Sequence, residues 1–433
     1  MTDVKRRVAR AGAAVLICVL AVVLAPLSAV AAPPAGACRD PEPARPAIGK
    51  LPWAQQVLDP RGVWTHSTGA GVVVAVVDSG VDVDHPQLRP DGKVLRGQDF
   101  FLVGDLPGSF DCVSHGTAVA SIVAAAVVDG IGFHGVAPSA RILPVRVTDA
   151  DQSRGKETSI DPNVLARGIR YAADNGAKVI NLSLAGTKDE VVVRDAVAYA
   201  QGKDALVIAA AGNFQGDGSA ELPSFPAAYE GVLGVGAVDI AGARIDGSQI
   251  GRYVDLVAPG GGVLAATRSA GHTYWEGTSF AAPFVAGTAA LVRSAWPELS
   301  AEEVARRLLA TASPARGGQG SRSYGAGIVN PYRAVTEGLT DNPPGERPGI
   351  VKPAPDPAEI RVAAWWSDTG STTRGWTIGL LSSAVVVLVV VVAVSLGRRR
   401  RWAPGRVEPP TAEPVRDEPP EQLFLLDPPP VDR

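Results

Sequence analysis

Apolar residues fall along this chain in three kinds of run, and each predicts a different element. Short continuous runs end in polar residues or glycine: GVVVAVVDSG (71–80), ARILPVRV (140–147), AKVINLSL (177–184), DALVIAAAGN (204–213) and GVLGVGAV (231–238). Runs of this length without alternation read as strands covered on both faces. Between them HGTAVASIVAAAV (115–127), DPNVLARGIRYAADNG (161–176) and VVVRDAVAYAQG (191–202) carry helical spacing, the last two closed by glycine. Strands alternating with helices predict an α/β domain with a mainly parallel sheet between helical layers, reaching about Leu339. GTSFAAPFVAGTAALV, from Gly277, predicts a buried helix that opens on Thr278 and Ser279, with Pro283 tolerable in its first turn.

Two longer runs sit at the ends. At the start, Lys5, Arg6, Arg7 and Arg10 precede an apolar stretch that closes on small residues near Ala29 and Ala31. That order predicts a signal peptide over 1–31. Near the other end, residues 377–397 carry no charge over 21 positions, and at ~1.5 Å per residue they cover ~30 Å, a bilayer core. Trp376 flanks this run and Arg398–Arg401 close it. The expectation is one C-terminal transmembrane helix (376–397) with its C-terminal end in the cytoplasm and the domain before it outside the cell membrane. The remaining segments read as a Pro-rich N-terminal extension (32–65), a catalytic-sized domain (66–340), a Pro-rich linker (341–375) and a cytoplasmic Pro-rich acidic tail (398–433).

The formal net charge of −3 leaves no basic footprint for nucleic acid. Cys18 falls in the leader, so Cys38 and Cys112 remain, as a disulfide or as two buried thiols; an oxidising compartment favours the disulfide. His66, His85, His134 and His272 are scattered without ligand spacing, so no metal and no cofactor is expected.

Four polar residues stand where parallel strands and helices deliver chemistry. Asp78 ends an apolar strand, Asn213 ends another, His115 opens a helix and Ser279 opens the buried one. Taken singly, each is a turn former or a cap. Together they supply what serine chemistry needs: a hydroxyl, a base to take its proton, a carboxylate to orient the base, and donors for an oxyanion from the Asn213 side chain and the Ser279 N–H.

The segments VVDSGVDVDHPQL, HGTAVASIVA, VIAAAGN and GTSFAAPFVAG, in this order, resemble the Asp, His, Asn and Ser motifs of the subtilisin-like serine proteases. The resemblance implies the three-layer α/β subtilisin-like fold, a triad of Asp78, His115 and Ser279, and an oxyanion site of Asn213 supported by Thr278. It implies a substrate-binding edge at Ser183, Leu184, Ala185 and Gly186, and a pocket wall at Ala210, Ala211 and Gly212. Two positions depart from it: Phe280 stands where many members carry Met, and Ala185 where Gly is common. The segment before Asp78 is also too short and Pro-rich for a folded inhibitory prodomain. The whole layout is similar to the mycosins, membrane-anchored members serving actinobacterial type VII secretion. That implies protein substrates, secretion-complex subunits as partners, and endopeptidase activity through an acyl-enzyme. The alternative is a mainly structural subunit that uses the same fold as a binding module.

Overall fold

Strands that are apolar on both sides need a helical layer on each face, and the computed structural model builds that sandwich. It describes residues 36–38, 41–102, 104–149, 160–216, 220–318, 320–339 and 394. The elements below all lie in one compact unit.

Among the described residues seven strands make the sheet: β1 (Val73–Asp78), β2 (Gln98–Asp99), β3 (Arg141–Arg146), β4 (Val179–Leu182), β5 (Leu206–Ala210), β6 (Leu233–Val238) and β7 (Leu256–Pro259). Their order is β2-β3-β1-β4-β5-β6-β7 and every pairing is parallel. A separate antiparallel hairpin joins β8 (Val263–Ala266) to β9 (His272–Trp275). The helices are α1 (Trp53–Leu58), α2 (His115–Ala124), α3 (Pro162–Asp174), α4 (Val191–Gly202), α5 (Thr278–Ala295), α6 (Ala301–Ala310) and α7 (Pro331–Thr336), with a 3-10 turn at Pro60–Val63.

Local chemistry explains the boundaries. Asp161 caps α3 by accepting from the Asn163 N–H, with Pro162 in the first turn. Ser300 and Glu303 cap α6 reciprocally. Helix α5 is buried continuously from Thr278 to Arg293, which is why its sequence is apolar on every side. It runs along β4, β5, β6 and β7 and packs against α2, while α3 and α4 pack together over β1, β3, β4 and β5.

The chain leaves β1 through α2 to β3, then returns over β1 through α3 to β4 and continues outward. Strand order therefore reverses between β1 and β4, and the crevice at their carboxyl ends is where an open α/β sheet places ligands. Asp78 ends β1 on one side of that crevice, and Ser183 follows β4 on the other.

The five predicted strands and the helices between them are present, and the fold is the expected α/β subtilisin-like one. The short edge strand β2, the last strand β7 and the β8–β9 hairpin were not read from the sequence. Pro283 is the sixth residue of α5, beyond the first turn in which its missing N–H would cost little. The N-terminal extension packs into the domain, with Trp53, Ala54, Leu58 and Val63 in the core. Cys38 and Cys112 form a disulfide, Cα atoms 5.4 Å apart. The Glu42 N–H donates to the Cys112 carbonyl, and the His272 N–H to that of Pro46. The expected signal peptide, linker, membrane helix and tail lie outside the described residues, apart from residue 394; among the described residues no helix is long and apolar enough to cross a membrane.

Candidate active site

Asp78 and His115 meet because α2 starts directly on the end of β1. Gly116 permits this approach, since a Cβ there would lie 2.1 Å from the Gly80 carbonyl oxygen and 3.2 Å from the Asp78 Cβ. His115 Nδ1 lies 2.7 Å from Asp78 Oδ1, with both side chains almost fully buried. The Ser79 N–H donates to the same Oδ1 at 2.7 Å. A carboxylate at Nδ1 holds the proton on that nitrogen and leaves Nε2 as the basic one. The imidazole ring also rests against Phe280, with centroids 5.1 Å apart, and edge-on against Trp275 at 6.5 Å. His115 is therefore held between Asp78 and the residue that follows Ser279.

Ser279 is the second residue of α5 and is tied to the segment after β4 by two reciprocal bonds. Its hydroxyl donates to the Ser183 carbonyl at 3.1 Å, and the Ser183 hydroxyl donates to the Ser279 carbonyl at 2.6 Å. Pro283 explains the second bond. In an α-helix the Ser279 carbonyl would accept from the N–H four residues on, and proline has none. The Ser183 hydroxyl supplies the missing donor, so a proline outside the first turn is accommodated by a side chain from another element. Asn181 Nδ2 in turn donates to Ser183 Oγ at 2.9 Å.

Asn213 is exposed and is oriented by Thr278, whose N–H and hydroxyl both donate to its Oδ1, at 2.9 and 3.0 Å. A planar amide so held turns its NH2 group away from Thr278. Gly277 has φ 137°, a conformation that favours glycine, and a Cβ there would stand 3.0 Å from Asn213 Nδ2. Thr278 Oγ1 also accepts from the Gly212 N–H at 3.1 Å.

The two expected substrate segments lie side by side. Leu184 is buried, and Gly186 exchanges two backbone bonds with Phe225, each 2.8 Å. Ala210 ends β5; the Ala211 carbonyl accepts from Ser224 Oγ at 2.8 Å. A Cβ on Gly212 would reach the Ala185 Cβ at 3.4 Å. The structure thus brings Asp78, His115, Thr278, Ser279, Asn213 and both segments to one end of the sheet.

Sequence reasoning missed the charges packed behind them. Arg146, fully buried at the end of β3 opposite Asp78 in register, pairs with Asp99 at 2.9 Å and Asp149 at 2.6 Å. Its Nε donates to the Ser79 carbonyl at 3.1 Å, and its guanidinium lies over the rings of Phe101 and Phe110. The visible signal was a charge closing an apolar strand. His85, His134 and His272 are buried and hydrogen-bonded elsewhere, their pKa values lowered by burial, His272 to about 4. The remaining one, His66, sets its ring against Tyr332.

The subtilase family model matches residues 69–327. A thermophilic serine proteinase of Bacillus sp. strain AK1 is 40% identical over 274 residues, 63% of this chain and 64% of that protein. Thermitase of Thermoactinomyces vulgaris is 36% identical over 294 residues, 68% of this chain and 99% of that protein. Among solved structures, the serine protease MycP1, described as an essential component of the type VII (ESX-1) secretion system, aligns with a TM-score of 0.60 at 33% identity, covering 69% of this chain and 92% of its own.

Proposed function

Because the chain belongs to the subtilase family of serine proteases, we propose that it is an endopeptidase working through an acyl-enzyme, with Asp78, His115 and Ser279 as its triad. The observation that carries this reading is the buried Asp78–His115 pair, 2.7 Å apart, on the same end of the sheet as Ser279. In the proposed reaction Ser279 Oγ attacks the scissile carbonyl carbon while His115 Nε2 takes the hydroxyl proton. Asp78 holds the ring and stabilises the imidazolium. The oxyanion receives hydrogen bonds from the Asn213 amide and from the Ser279 N–H, which stands in the first helical turn where backbone donors lack helical partners. His115 then returns the proton to the leaving amine, the acyl-enzyme forms, and water reverses the sequence. Segments 183–186 and 210–212 hold the peptide.

The proposal extends to place and partners. The charge-free run at 377–397 closed by arginines, and the basic leader, support a membrane-anchored enzyme with its domain outside the cytoplasm and its tail within. Likeness to MycP1 supports service in a type VII secretion system, with secreted proteins as substrates and membrane subunits as partners. That relative's description as an essential component also supports a second role, as a structural subunit. One experiment separates the two: mass spectrometry of secreted proteins and their termini from wild type and a Ser279→Ala strain. Lost cleavage with secretion retained identifies a peptidase whose scaffold role is independent. Unchanged termini throughout would refute the peptidase assignment.

A further inference from the structure

Behind the Asp78–His115 pair lies a buried carboxylate that the proposed reaction leaves unused. Asp111 is 1% exposed and accepts five hydrogen bonds. Four come from the loop and first turn that carry His115: Val113 N–H at 3.0 Å, Ser114 N–H at 3.2 Å, Thr117 N–H at 2.9 Å and Thr117 Oγ1 at 2.7 Å. The fifth, from Ser79 Oγ at 3.0 Å, comes from the residue after Asp78. Ser79 is itself fully buried and uses each of its polar atoms. Its N–H donates to Asp78, its Oγ accepts from the Gly116 N–H at 2.9 Å, and its carbonyl accepts from Arg146.

We propose that Asp111 and Ser79 are positioning residues: a clamp that fixes the strand end bearing Asp78 against the helix start bearing His115, and so sets the geometry of that pair. The proposal rests on the peptidase reading only for its kinetic consequence. Asp111 touches neither substrate nor reacting atoms and acts through Asp78 and His115. Its necessity follows from local strain, since Ser114 takes the left-handed conformation (φ 67°) just before His115. A non-glycine residue there needs surrounding contacts to hold it, and two of the five bonds land on Val113 and Ser114.

The charged groups around the clamp come from every neighbouring element. Asp78 lies on β1, His115 on α2, and Arg146 on β3 with its partners Asp99 and Asp149. Arg268, after β8, donates from Nε to the Asp111 carbonyl and from a terminal nitrogen to the Glu42 carbonyl. Burial pushes the Asp111 carboxyl up to about 6, against the pull of its donors. Above that pH it is a full carboxylate able to accept all five bonds.

The test uses purified full-length protein in detergent, a tetrapeptide p-nitroanilide as substrate, and selective 15N labelling of its 5 histidines. Asp111→Asn keeps the shape but loses an acceptor and the charge; kcat is expected to fall roughly 10- to 100-fold with KM nearly unchanged, as for a small misplacement of reacting groups. The acid limb of kcat should move to lower pH, because the lost charge no longer favours imidazolium. Ser79→Ala should lower kcat alike but leave the acid limb in place, since it removes no charge; its loss should not add to that of Asp111→Asn, and Ser79→Thr, which keeps the hydroxyl, should restore activity. In both damaging variants the His115 Nδ1–H resonance should shift or broaden while circular dichroism stays that of wild type. A His115 resonance unchanged in both variants, or an acid limb unchanged in Asp111→Asn, would overturn the clamp. If wild-type protein fails to cleave the peptide or to react with a fluorophosphonate, the peptidase reading falls, and the resonance comparison still decides the clamp.

Discussion

Replacing Ser183 by alanine tests how the backbone of Ser279, the proposed nucleophile, is held. The substitution removes the hydroxyl that donates to the Ser279 carbonyl at 2.6 Å and accepts from Asn181 Nδ2 at 2.9 Å. Both partners are buried, Asn181 completely, so each is left needing a bond that the interior does not provide. A stranded buried polar group costs about 1–3 kcal/mol, so the two together should cost roughly 2–6 kcal/mol. Pro283→Ala supplies a second arm, because alanine at 283 carries an N–H that can donate to the Ser279 carbonyl as an ordinary helix would. In wild type that change should be mildly destabilising or neutral, since the carbonyl is already satisfied and proline's restriction of the unfolded chain is worth only ~0.4–1 kcal/mol. In the Ser183→Ala background it should recover about 1–2 kcal/mol, giving a coupling well beyond the ~0.3–0.5 kcal/mol scatter of independent sites. Urea unfolding measures all four proteins, each carrying Ser279→Ala to prevent self-digestion while keeping the carbonyl. A parallel set with the native serine should show slower fluorophosphonate labelling in Ser183→Ala and partial recovery in the double variant. Strict additivity of the two changes would refute the exchange of donors.

Ser279→Ala, His115→Ala and Asp78→Ala should each lower kcat by roughly 10⁴–10⁶-fold, with double variants little worse, and Asn213→Ala by about 10²–10³-fold, the sizes that the same changes have in subtilisin; peptide hydrolysis checks them. Cys38→Ser opens a loop spanning 74 residues of sequence separation, which loop-closure entropy values at about 4 kcal/mol; denaturant midpoints measure the loss, and N-terminal sequencing of active enzyme should find the tethered arm retained. His272 has its pKa lowered to about 4, so the stability it contributes is present above its unfolded value of 6.5 and is lost as pH falls towards 4. Asp255, raised to about 6 by burial, works the other way: its contribution is present below 3.8 and lost as pH rises through 6. Melting temperatures against pH should therefore fall less steeply on acidification in His272→Gln than in wild type, and a parallel pair of curves would contradict the assignment.

The central strands were legible because burial on both faces leaves a plain mark, a continuous apolar run. The candidate site was legible for a related reason: strand ends and helix starts are where such runs meet polar residues, and Asp78, His115, Asn213 and Ser279 stand at those junctions. What was hidden depends on approach between distant segments. Nothing in DCVSHGT distinguishes a loop aspartate from one that gathers five donors across the end of β1. Strand β2 has two residues, too few to carry any period. How Pro283 is tolerated was hidden as well, because its compatibility with helix is decided by a hydroxyl roughly a hundred positions earlier, at Ser183.

The aromatic wall beside His115 has a chemical consequence. Phe280 packs on both the imidazole and Trp275, with centroids 5.1 and 4.9 Å away, and it occupies the position next to Ser279, the proposed nucleophile, without a sulfur atom. The chain contains 1 methionine and 3 cysteines. The methionine is Met1, Cys18 lies in the expected leader, and Cys38 and Cys112 are already joined. The sequence from residue 36 on therefore carries no thioether and no free thiol for peroxide or hypochlorous acid to consume. Oxidants reaching it would have to attack rings or the disulfide itself, which makes the proposed catalytic end of this sheet chemically durable where a methionine sulfur beside Ser279 would be the first group oxidised.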